Sequence, residues 1–249
     1  MNIIDLSDKT IIITGAASGI GRETAVIASK IGARVVSLDI SGEGLMETMS
    51  LLEGNGHSAY VINLCESESI PPLIKQISEK YGKIDGIVHC AGISSRKPLN
   101  VLTKDGFSKV MDINFYSFVE LVRQTTKKRY FQDGGSVVVM SSISSIKGYK
   151  AKTEYCVSKA SVDAFVRCMA AELAPRKIRI NSVMAAEVLT PLALKARETT
   201  DAVGASGFST PLGPSDPYEI ANTVCFLLSD ATKTITGTSL LIDGGACIQ

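Results

Sequence analysis

The chain has 249 residues, 45% of them hydrophobic and 20% charged, and its 26 basic against 25 acidic side chains leave a formal net charge of +1. That balance gives no global field for nucleic acid or an anionic membrane, and no apolar run approaches the roughly 20 residues of a membrane-spanning helix. Six scattered cysteines without a C-x-x-C pair read as small apolar groups in a reducing compartment, and two histidines scarcely supply a zinc site or a Ser-His-Asp triad.

The opening, MNIIDLSDKTIIITG, carries an acid where a secretory leader has basic residues, so the expectation is a cytoplasmic chain. Apolar β-branched runs at 10–14, 33–39, 58–64, 85–92, 136–142, 178–184 and 239–243 predict strands. Helical patterns lie between them near 19–31, 43–53, 67–82, 103–130, 153–174 and 215–229. Strands this continuously apolar belong in a parallel sheet covered on both faces. Strand and helix alternating from end to end predict an α/β chain: a single Rossmann-like, doubly wound domain over 1–249, its seven-stranded parallel sheet flanked by helices. The stretch 185–213 fits no regular element and reads as a substrate loop over the carboxyl edge of the sheet.

The first strand-to-helix junction, TGAASGIG, places Gly15, Gly19 and Gly21 where backbone N–H groups can approach a pyrophosphate at a helix N-terminus. Asp39 closes the second strand, where a carboxylate can accept from the adenosine ribose hydroxyls and repel a 2′-phosphate. Neither Ser18 nor Ile40 offers a cation for that phosphate, which favours NAD over NADP. The plainer alternative is that Asp39 caps the following helix.

In TEYCVSKASVDAF (153–165), Tyr155 and Lys159 stand four apart and share a helix face. A phenol titrates near pH ~10, too high for a base near neutrality, and an ammonium beside it favours the phenolate. Tyr155 is then suited to take a proton from an alcohol or give one to a ketone. Ser142, ending the fifth strand, is placed to hold the substrate oxygen, and the Asn114 amide to link Lys159 to water as a proton relay.

These residues resemble the classical short-chain dehydrogenase/reductase family, including its 3-oxoacyl-acyl-carrier-protein reductases, from about residue 8 to residue 246. TGAASGIG resembles the family's cofactor turn and YCVSK its Tyr-x-x-x-Lys, with Ser142 and Asn114 completing a catalytic tetrad. The resemblance implies NAD held by Gly15, Ser18, Gly19, Ile20, Gly21, Asp39, Asn63, Leu64, Ala91, Gly92, Val188 and Thr190, with Tyr155 and with Lys159 on the nicotinamide ribose. No metal is expected. The sequence departs from the family at HCAG (89–92), where Asn-Asn-Ala-Gly is usual, and at Ala185-Ala186, where Pro-Gly is usual. His89 reads as a strand-end packing residue, and Ala186 must avoid the positive φ open to glycine.

The 153–174 helix is apolar nearly all round, and the family's answer is pairing into homodimers or homotetramers. The expected partner is a small alcohol or ketone, with no nucleic acid and no membrane. Arg96, Lys97, Lys147, Lys150 and Lys152 near the rim leave an anionic substrate open, and Leu189, Leu192 and Leu194 suggest an apolar lid. Two alternatives stand beside an NAD-linked alcohol dehydrogenase: an NADPH-dependent 3-oxoacyl-thioester reductase, and a dinucleotide-binding scaffold or sensor without catalysis.

Overall fold

Every residue of Thr10–Thr14 is buried in the computed structural model, which describes residues 4–198 and 210–248. This first strand, β1, sends Ile11 and Ile13 into one apolar cluster and Ile12 into another on the opposite face. Successive strand side chains point to opposite faces, so a sheet covered twice needs an apolar residue at every position. The other strands are β2 (Arg34–Asp39), β3 (Ser58–Val61), β4 (Ile84–His89), β5 (Phe131–Ser142), β6 (Arg179–Ala185) and β7 (Ser239–Ile242). All pair in parallel, in the order β3-β2-β1-β4-β5-β6-β7. The direction of winding reverses between β1 and β4, and a crevice opens there beyond the carboxyl ends of the strands.

The helices are α1 (Gly19–Lys30), α2 (Gly42–Leu51), α3 (Ile70–Tyr81), α4 (Lys104–Met111), α5 (Ser117–Thr125), α6 (Thr153–Leu173), α7 (Pro191–Glu198) and α8 (Pro217–Leu228). Ala25, Ala28, Val224 and Leu228 of α1 and α8 pack in the first cluster; Ile74, Leu121, Val162 and Val166 of α3, α5 and α6 pack in the second.

Several boundaries differ from the sequence reading. Strand β3 stops at Val61, because the Asn63 side chain accepts the Cys65 N–H at 3.1 Å and turns the chain. Strand β4 stops at His89, where the backbone of Cys90 and Ala91 bends against Gly15. The helix predicted over 103–130 is two helices joined by a π turn, Asp112–Tyr116. Within 185–213, where no regular element was expected, Pro191 starts α7. Residues 199–209 of that stretch lie outside the described residues.

Candidate active site

Between β1 and α1 the backbone must bend through left-handed conformations, with Gly15 at φ +66° and Gly19 at +52°. A Cβ on Gly15 would lie 2.8 Å from the Ala91 nitrogen, and one on Gly21 would lie 2.1 Å from the Gly15 oxygen. Only glycines let the turn close on itself and on the end of β4. Ser18 precedes α1 without a side-chain capping bond, so the first turn of the helix faces the crevice uncapped. A cleft of about 400 Å³ opens here, and Gly15, Ser18, Gly19, Ile20, Gly21, Asp39, Asn63, Leu64, Ala91, Gly92 and Thr190 all line it.

Val188 does not line it. The residue is buried and bridges to Ser215, with Leu189 N–H donating to the Ser215 carbonyl and Ser215 N–H to the Glu187 carbonyl. It braces the chain beneath the cleft. Cys65, Cys90, Ile93, Ile113 and Ser117 line the cleft without having been singled out. Cys65 and Cys90 sit within one residue of expected contacts, whereas Ile113 and Ser117 arrive through the π turn, which no spacing announces.

At the far end of the cleft both Asp39 oxygens are oriented by backbone: Oδ2 accepts the Ala17 N–H and Oδ1 the Ser41 N–H, each at 3.0 Å. The cap of α2 is Ser41, whose hydroxyl accepts the Gly44 N–H at 3.2 Å. The capping alternative for Asp39 is therefore set aside, and each carboxylate oxygen keeps acceptor capacity toward the cleft. Arg22, a nearby cation, is turned away into an ion pair with Glu47 at 2.6 Å and a bond to the Ala17 carbonyl.

At the inner end, α6 carries Tyr155 and Lys159 toward the end of β5. The Ser142 hydroxyl accepts the Ser144 N–H at 3.2 Å and lies near enough to the Tyr155 phenol to influence its titration. Burial pushes the Tyr155 phenol above its ordinary value, and the Ser142 hydroxyl opposes that rise. Lys159 was expected to pull the phenol down, but its ammonium donates to the Met140 carbonyl at 2.8 Å and lies 5.7 Å from the Tyr155 ring centroid. Burial pushes Lys159 itself down to about 8.

Asn114 is held by its neighbours on both sides of the amide. Its Oδ1 accepts the Ile93 N–H at 2.8 Å, and its Nδ2 donates to the Ile93 carbonyl and to Ser158 Oγ, both at 3.0 Å. The amide pins the strand-end loop instead of reaching Lys159. A Cβ on Gly92 would meet Asn114 Oδ1 at 3.2 Å and Lys159 Nζ at 3.8 Å, so the bare glycine brings the cleft up to both.

The two family departures are absorbed by packing. His89 is 1% exposed, its Nδ1 is 3.0 Å from Thr14 Oγ1, and its ring lies 5.2 Å from that of Phe118. Burial, reinforced by the Lys159 charge, pushes it down to about 3. Ala186 follows the end of β6 at a bend, its N–H donating to the Ile242 carbonyl at 3.1 Å, and it is not among the left-handed non-glycine residues, Asp8, Ala151 and Lys177. Thr190 caps α7 by accepting the Ala193 N–H at 3.2 Å. Of the rim cations, Lys97 turns to Glu154 at 3.5 Å and Lys147 donates to the Ala246 carbonyl.

The glycine cradle lies at the switch point of a doubly wound sheet, where such folds bind nucleotides, and the Ser142, Tyr155 and Lys159 side chains lie behind its Gly92 wall. Residues 15–247 match the family model described as enoyl-(acyl carrier protein) reductase. The 3-oxoacyl-[acyl-carrier-protein] reductase of Thermotoga maritima is 34% identical over 246 residues, covering 98% of this chain and 99% of that one. The NAD-dependent glycerol dehydrogenase of Listeria innocua is 30% identical over 251 residues, covering 98% and 96%. Among solved structures, carveol dehydrogenase from Mycobacterium avium in complex with NAD superposes with a TM-score of 0.90 at 26% identity, over 98% of this chain and 99% of that one. The chain belongs to the short-chain dehydrogenase/reductase family.

Proposed function

We propose that the protein is an NAD(H)-dependent oxidoreductase interconverting a secondary alcohol and a ketone. The observation that carries this reading is one cleft lined by the glycine turn and the backbone-oriented Asp39 carboxylate, whose wall at Gly92 comes up to Lys159 while Ser142, Tyr155 and Lys159 themselves lie behind its lining. When bound, the nicotinamide supplies the hydride carrier. The glycine turn and the uncapped start of α1 are suited to the pyrophosphate, Asp39 to the adenosine ribose hydroxyls, and Thr190 and Lys159 to the nicotinamide end. Ser142 Oγ holds the substrate oxygen. The Tyr155 phenol gives its proton to a ketone oxygen, and in the opposite direction its phenolate takes the proton of an alcohol. Lys159 sets the local charge. Asn114 fixes the loop at Ile93 that walls the site.

The same reading takes 1–249 as one catalytic domain in the cytoplasm, associating with copies of itself through α6, where Val157, Ala164, Cys168 and Ala171 are exposed along one stripe. Tyr155→Phe tests the chemistry: NADH binding should stay within about twofold while turnover falls about 100- to 10,000-fold. Wild-type turnover in that variant contradicts the mechanism. Reduction of a 3-oxoacyl thioester is a second reading, favoured by the Thermotoga relative. Parallel assays with a 3-oxoacyl thioester and with polyols such as glycerol separate the two by kcat/KM.

A further inference from the structure

We propose that Asp163 is a positioning residue of this site, the buried counter-charge that holds Lys159 as an ammonium under the catalytic tyrosine. The inference rests on the role given to Lys159 above. Asp163 lies one turn beyond Lys159 on α6, so both project from the same face of the helix. Asp163 is 4% exposed and Lys159 6% exposed. The Ser182 hydroxyl donates to Asp163 Oδ1 at 2.6 Å, and Ser182 Oγ is 2.8 Å from Ser239 Oγ. A hydroxyl has one proton, so Ser239 donates to Ser182 and Ser182 to Asp163. The chain of bonds runs from β7 through β6 to the catalytic helix.

Packing alone does not account for an acid at this position. Oδ2 of Asp163 is buried and finds no hydrogen-bond partner among the described residues. Such an oxygen costs stability unless its charge is used, and an apolar side chain like the neighbouring Val162 and Val166 would fill the space without that cost. The groups around Lys159 show what the charge does. The end of β4 presents His89, pushed down to about 3, and Cys90, pushed up to about 12, so neither is charged near neutrality. Strand β5 presents the Met140 carbonyl, α6 presents Tyr155 with its phenol held up by burial, and the π turn presents the neutral Asn114 amide. Burial drives Lys159 toward the free amine; the charges that oppose it are the Cys90 thiolate, which forms only well above neutrality, and then the Asp163 carboxylate. In a low-dielectric interior such a charge is only weakly screened.

The test is a lysine Nζ NMR titration of the purified, ligand-free protein, with the Lys159 resonance assigned by Lys159→Met. Asp163→Asn should move the Lys159 midpoint toward acid by about half a pH unit or more, and the alkaline limb of ketone reduction should move with it. Ser182→Ala, which removes the hydrogen bond and keeps the charge, should leave the midpoint in place while lowering the melting temperature. A fixed midpoint in Asp163→Asn overturns the proposal and leaves Asp163 a packing residue. If Asp163→Asn does not fold, Asp163→Ser repeats the test with a smaller neutral side chain. Absence of turnover on any alcohol or ketone would defeat the functional reading, and the midpoint shift would still decide the role of Asp163.

Discussion

His89 ends β4 and Lys159 lies near it on α6, and burial moves both toward their neutral forms. For His89 the folded value, about 3, lies below the ordinary 6.5. The folded chain therefore binds fewer protons than the unfolded one between those values, and stability complete above pH 6.5 is lost as pH falls through the window. The loss from this residue reaches on the order of 5 kcal/mol. His89→Asn should remove that part of the acid slope; denaturant titrations at pH 7 and pH 4.5 measure it, and an unchanged slope would assign acid lability elsewhere. The residue types at the site were legible in the sequence, since glycines, Asp39 and the Tyr-x-x-x-Lys spacing each answer to a chemical need. Side-chain partners were not. The Asn114 amide is drawn to the Ile93 backbone and the Ser158 hydroxyl, and Lys159 to the Met140 carbonyl, groups whose positions only the folded chain fixes.

The glycine turn is the element on which cofactor binding depends most sharply. Gly21 packs the start of α1 against the Gly15 carbonyl with no room for a methyl group, since its Cβ would lie 2.1 Å from that oxygen. Gly21→Ala should weaken NADH binding about tenfold or more while the sheet, built from other contacts, stays folded. Isothermal calorimetry with a circular-dichroism control reads both, and unchanged affinity would mean that the turn relaxes. Strands and most helices were legible because two-faced burial writes long apolar runs. The π turn and α7 were not. The first interrupts a helix without changing its apolar pattern, and the second begins at a proline in a stretch whose composition resembles a loop.

At the scale of the molecule, the exposed stripe on α6 presents small and apolar side chains without a charge among Val157, Ala164, Cys168 and Ala171. Sedimentation should show a dimer or tetramer, and Ala164→Glu should shift it toward monomer; a wild-type monomer would leave the stripe as plain surface. The order of the motifs along the chain made the α/β architecture and the position of the crevice readable in advance, because in a sheet of this strand order the connections leaving β1 and β4 run off in opposite directions. The central claim is that this crevice is built for NAD(H), with Asp39 facing the adenosine ribose. The most direct measurement is titration of the purified protein with NADH and with NADPH, followed by nicotinamide fluorescence. Tight NADH beside weak NADPH is the predicted result. Tighter NADPH, or binding of neither, would contradict it.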